Sequence, residues 1–133
     1  MHMSAVYLAG RVSWGSHVIG DFGKELEARG HIITCKWWEL GRLPQPYLKH
    51  PEASKQAAEM MIEAVTESDI FILFAEDDLL GASTEFGFAL ADTTKPRKIL
   101  VLLPEDTRQS VFYAYPQVSV VSSIDEIRSE AWY

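Results

Sequence analysis

The chain has 133 residues, 47% of them apolar, which is enough for one ordinary core and too few for two. Its formal charge of -7 argues against a nucleic-acid polymer or an anionic membrane as partner, because either needs clustered Lys and Arg. No apolar run approaches the roughly 20 residues of a membrane span, no charged-then-apolar leader precedes the first strand, and the single Cys35 allows no internal disulfide, so a small ligand and a reducing, cytoplasmic setting are expected.

Met1-His2-Met3 reads as a cloning remnant, leaving 4–133 as a single domain. Ala5-Val6-Tyr7-Leu8-Ala9 is continuously apolar and stops at Gly10, as expected of a strand buried on both faces. Val18, Phe22 and Leu26 recur at spacing four before Arg29-Gly30, predicting a helix over 16–29 with a glycine stop. The β-branched and aromatic run 31–37 predicts a second strand near the sheet edge, with Cys35 as a buried structural thiol. Three prolines make 41–51 a surface loop.

From Glu52 to about Glu67, Ala53, Ala57, Met60, Met61, Ala64 and Val65 fall on one face of a second helix. Ile70-Phe71-Ile72-Leu73-Phe74 is the strongest strand in the chain and needs cover on both faces, which puts it at the centre of a parallel sheet. Ser83 or a near neighbour is positioned to cap a third helix carrying Phe86, Phe88, Ala89 and Leu90; a strand over 98–103, a short strand over 118–121 and a helix over 124–128 complete the pattern. Alternating strands and helices at this spacing predict an α/β fold: one doubly wound, mostly parallel five-stranded sheet with helices on both faces, of flavodoxin or Rossmann type, in the order 2-1-3-4-5.

In such sheets ligands bind at the carboxyl ends of the strands, at the switch point between strands one and three. The unusual residues gather there: Gly10, Arg11 and Trp14 after strand one, Trp37 and Trp38 after strand two, then Glu76-Asp77-Asp78, Gly81, Ser83 and Glu85 after strand three. Gly10, Arg11, Trp14, Trp37, Asp77, Asp78, Gly81 and Ser83 form the expected substrate-binding set, and Glu85 with Tyr7 the expected catalytic pair. A carboxylate in the first turn of a helix is stabilised by the helix dipole by roughly 0.3 to 1 kcal/mol with no function at all. The same physics favours an ionised nucleophile able to attack an electrophilic sugar carbon. Asp77 and Asp78 are either solvated loop residues or, with carboxyls within about 5 to 5.5 Å of a partner, participants in a retaining glycosyl transfer. Tyr7 is either a core aromatic or a donor that orients Glu85. Trp37 and Trp38 alternate in direction, so at most one faces the ligand and the other packs on a helix. The turn from Gly10 to Gly15 has neither dinucleotide nor Walker spacing, although Arg11 could meet a phosphate; the four histidines lack metal spacing, and neither a metal nor a cofactor is expected.

Three segments carry a family resemblance: Val6-Tyr7-Leu8-Ala9-Gly10, Ser68-Asp69-Ile70-Phe71-Ile72-Leu73, and Gly81-Ala82-Ser83-Thr84-Glu85-Phe86-Gly87-Phe88-Ala89. Together they resemble the nucleoside 2-deoxyribosyltransferases and their nucleotide N-glycosidase relatives. The resemblance implies that Glu85 attacks the anomeric carbon of a 2-deoxynucleoside, that Tyr7 holds Glu85, and that Asp77 or Asp78 binds base or sugar. It further implies release of the glycosyl group to a free base or to water, and a site completed across a homodimer or larger assembly, for which Phe112, Tyr113 and Tyr115 supply an aromatic surface and the terminal Tyr133 a residue that reaches the neighbouring site. One departure stands out. The aspartate that the family carries eight residues before the one matching Asp69 is Met61 here, so leaving-group protonation falls to Glu59, Asp77 or Asp78, or the site has changed its reaction. Cleavage or transfer of an N-glycosidic bond is the leading expectation; a non-catalytic nucleotide-binding or sensing module on the same fold is the alternative, and a plain interaction domain a third.

Overall fold

A computed structural model of the chain describes residues 3–11 and 15–133. Five strands, β1 (Ala5–Ala9), β2 (Ile32–Ile33), β3 (Ile70–Phe74), β4 (Lys98–Leu102) and β5 (Val118–Val121), form one all-parallel sheet in the order β2-β1-β3-β4-β5. The fold class and strand order are those read from the sequence. Every residue of β3 is buried, as its unbroken apolar run requires between two helical layers, whereas β2 and β5 at the edges are partly exposed.

Side-chain parity along β3 separates the two layers. Phe74 meets Phe22 of α1 (Gly20–Ala28) at 6.2 Å between ring centroids, and Phe71, on the opposite face, meets Phe86 of α3 (Gly81–Ala91) at 6.3 Å. α2 (Pro51–Glu67) packs with α3, and α4 (Ile124–Arg128) joins α1 through the Arg128–Glu25 ion pair at 2.8 Å. Right-handed crossovers demand this split, because the chain moves one way from β1 to β2 and the other way from β2 to β3.

Several element limits differ from the sequence reading. The first helix enters through a π turn at Gly15–Ile19 before α1, and it stops where Gly30 adopts φ +95° and the N–H groups of Gly30 and His31 cap the carbonyls of Glu27 and Leu26. Strand two is only two residues long. Beyond Ile33 the chain bends into a 3₁₀ turn at Trp37–Glu39, in which the indole N–H of Trp37 donates to the Leu8 carbonyl at 2.7 Å and so ties the turn to β1. Pro51 opens α2 and is not part of the preceding loop, a first-turn position where its missing N–H costs nothing; within that loop Tyr47–Lys49 makes a further 3₁₀ turn. Met60 points to solvent, leaving Ala57, Ala64 and Val65 as the buried stripe. Ser83 does not cap α3: the helix begins at Gly81, and the Ser83 hydroxyl donates back to the Leu79 carbonyl at 3.2 Å. No helix among the described residues is long and apolar enough to cross a membrane.

Candidate functional site

A cavity of about 480 Å³ opens at the carboxyl edge of the sheet, over the ends of β1 and β3 on the α2–α3 side. Gly10, Arg11, Trp37, Asp78, Gly81 and Glu85 all line it. Five of the eight expected binding residues therefore gather with Glu85 at the switch point. Tyr7, directly beneath, is wholly buried in β1; its ring stacks on Phe71 at 5.6 Å and its hydroxyl donates to Glu85 Oε2. Both expectations for Tyr7 hold at once, core aromatic and holder of the carboxyl, because the ring fills the layer under α3 while the hydroxyl is its outermost atom.

Glu85 is partly buried in the second turn of α3, not the first. The helix dipole fades within one turn, and removal from water decides the ionisation: burial pushes the Glu85 carboxyl up to about 7, with the Tyr7 hydrogen bond pulling the other way. This corrects the expectation that the helix end favours the ionised form. Tyr7 is itself raised, first by burial and then by the neighbouring Glu85 charge, so it remains a hydrogen-bond donor. Cys35, buried as expected, is pushed up to about 11 by burial and by the Glu85 charge and stays a thiol.

Trp37 and Trp38 take different sides of the sheet, although they sit in a 3₁₀ turn and not in a strand. Trp37 is buried with its ring on the cavity wall, and Trp38 crosses to the other layer, where it lies against Gly23 of α1 so closely that a Cβ there would sit 3.1 Å from its ring. Asp77 and Ser83 are not part of the Glu85 cavity. Asp77 turns away to accept the Arg108 N–H at 2.7 Å, and Ser83 lies with it in a shallow recess beside Arg108 and Tyr113. Of the Asp77–Asp78 pair, which follows β3 in a bend, Asp78 alone lines the Glu85 cavity. Trp14 lies outside the described residues.

Sequence reading missed one wall. Ala58, Met61 and Ile62 of α2 face Glu85, with Leu79, Leu80, Ala82 and Thr84 closing the mouth. The spacing 58, 61, 62 is that of one helical face, but an apolar face over a ligand and one over the core look alike in sequence. Met61 is on the cavity wall as a thioether, and Glu59 is exposed and not among the lining residues. No group of three or more potential metal-ligating residues occurs among the described residues. Tyr133 is held by its own chain at the far, amino edge of the sheet: Arg29 donates to its main-chain oxygen at 2.8 and 3.0 Å, lies 3.8 Å from its ring centroid, and its hydroxyl donates to Glu25. Within the single chain these contacts clasp the last turn to α1.

No protein-family model and no curated protein matches the chain. Among solved structures it is similar to Clostridium botulinum CMP N-glycosidase, BcmB, with 20% identity over 88% of this chain and 86% of that one and a TM-score of 0.62. At that identity the likeness establishes the shared Rossmann-like architecture of a parallel sheet between helical layers.

Proposed function

We propose that this chain breaks or transfers the N-glycosidic bond of a 2-deoxynucleoside or nucleotide through a glycosyl ester on Glu85. The observation that carries the reading is the Tyr7–Glu85 pair set into the floor of a cavity at the sheet's switch point. A carboxyl held by one fixed donor and half-withdrawn from water has a set direction of attack, and near pH 7 a good fraction of it is ionised. The Glu85 carboxylate attacks the anomeric carbon, the C–N bond breaks with its electron pair going to the base, and the base nitrogen takes up a proton. Water or a second base then attacks the same carbon and frees Glu85. The fold's likeness to an enzyme described as a CMP N-glycosidase agrees with this chemistry.

Asp78 is the carboxyl left to serve the departing base, since Asp77 bonds to Arg108 and Glu59 is exposed. Met61 on the wall favours a second reading, a module that binds a nucleotide without turning it over. Phe112 and Tyr115 are exposed and suit a homodimer contact, while Tyr113 packs inward on Phe86 at 5.7 Å. Incubating the protein with 2-deoxynucleosides and their 5′-monophosphates, with and without a free base, and following base release alongside Glu85→Ala tests the proposal. Release or exchange that vanishes in the variant supports it; the absence of turnover, with ligands still raising Tm, replaces it with the binding module.

A further inference from the structure

A second cavity, of about 530 Å³, opens on the α1 side of the same sheet edge, and Arg11 and Asp78 belong to the walls of both. A ligand seated at Glu85 and extending past Arg11 meets this second wall, which is built from the ends of β3 and β4 and includes Glu76 and Asp77. Across the two cavities the described side chains present four carboxyls, Glu76, Asp77, Asp78 and Glu85, and one guanidinium, Arg11, with Arg108 beside Glu76 and Asp77 in the adjoining recess.

The hydrogen-bonding capacity has the same bias. Glu76 Oε2 is buried with no partner among the described residues, and burial holds that carboxyl above its usual range against the opposing pull of Arg11. A phosphate group is an acceptor carrying one to two negative charges, and proteins hold it with arginine forks, hydroxyls and free N–H groups. Here the Thr84 hydroxyl donates to the Leu80 carbonyl at 3.3 Å and the Ser83 hydroxyl to the Leu79 carbonyl, so the opening turn of α3 has spent its side-chain donors internally. Its N-terminal N–H groups still favour an anion, but Asp78 stands three residues before the helix on the shared wall.

The geometry points to a substrate without a phosphate: a neutral nucleoside, whose 5′-hydroxyl adds no charge to a wall already rich in carboxyls. This rests on the glycosidic reading and decides a choice that reading leaves open. Phosphate is disfavoured by charge, so the discrimination is sensitive to salt, which screens over about 10 Å at 0.1 M.

The test measures kcat/KM for matched pairs, each 2-deoxynucleoside against its own 5′-monophosphate, at low and high ionic strength, for the full chain and for Asp78→Asn. The expected result is a preference for the nucleoside of about tenfold or more at low salt, corresponding to a difference of about 1.4 kcal/mol, which narrows at high salt and narrows again in Asp78→Asn. Monophosphates turned over as well as nucleosides, or better, overturn the inference and leave the glycosidic chemistry intact. If neither is turned over, the glycosidic reading fails, and calorimetric binding of the same pairs judges the charge argument by itself: tighter nucleoside binding upholds it, and tighter monophosphate binding, or none of either, overturns it.

Discussion

Replacing Glu85 by Gln removes a charge that the fold buries at a cost. The carboxyl moves from an ordinary 4.5 to about 7 on folding, chiefly because burial withdraws it from water. At about 1.4 kcal/mol per pH unit, the difference is worth about 3 kcal/mol. For a carboxyl raised in the folded state, its contribution to stability is complete below about pH 4.5, falls as the unfolded chain ionises first, and is lost once pH passes about 7. Gln is isosteric and neutral, and its amide oxygen can accept the Tyr7 hydroxyl. The Glu85→Gln variant therefore equals the parent in stability near pH 4.5 and exceeds it by about 3 kcal/mol above pH 7.5, or about 10 °C in Tm for a chain of this size. Thermal unfolding of both proteins in steps from pH 4.5 to 8 reads the difference directly, with no substrate required. A Tm gap that stays flat across that range would show that Glu85 is not held in a desolvating site and would undo the account of its ionisation.

Tyr7→Phe keeps the ring on Phe71 and deletes the donor to Glu85. Hydrogen bonds to charged groups contribute about 1.5–3 kcal/mol, so the Glu85 carboxyl rises further, the alkaline-rising limb of the rate profile shifts upward by about one to two pH units, and activity at pH 7 falls about 5- to 50-fold as the ionised fraction drops; an unshifted profile contradicts the holding role. Met61→Asp puts a carboxyl on the α2 wall opposite Glu85; base release from substrates with poor leaving groups accelerates several-fold while the midpoint of urea unfolding drops, and no gain in release means the wall does not face the leaving base. Gly10→Ala forces a Cβ against the Ile19 side chain and to 3.3 Å from Phe74 Cβ, so it destabilises the chain by about 1–3 kcal/mol in urea titration.

How much of this was legible in advance depends on which forces act locally. The β1 and β3 strands, the three long helices and the strand order followed from apolar runs and periodicity, because a segment that must be covered on both faces has few places to go in an α/β sheet. That Gly10, Arg11, Trp37, Asp78, Gly81 and Glu85 meet at one cavity, with Tyr7 beneath it, was legible because the switch point is a property of topology, and topology was readable. Tertiary structure alone decided matters that depend on neighbours distant in sequence. Asp77 and Asp78 are chemically alike, and only the course of the chain after β3 sends one to Arg108 and the other to the cavity. The α2 wall looked like core because apolar spacing does not say what it covers, and the Trp37 bond to Leu8 that ties the turn after β2 to β1 is a contact across 29 residues. The sequence by itself determined where a site would form. Packing decided the charge state of Glu85, because desolvation is set by everything that surrounds a carboxyl and not by the helix that carries it.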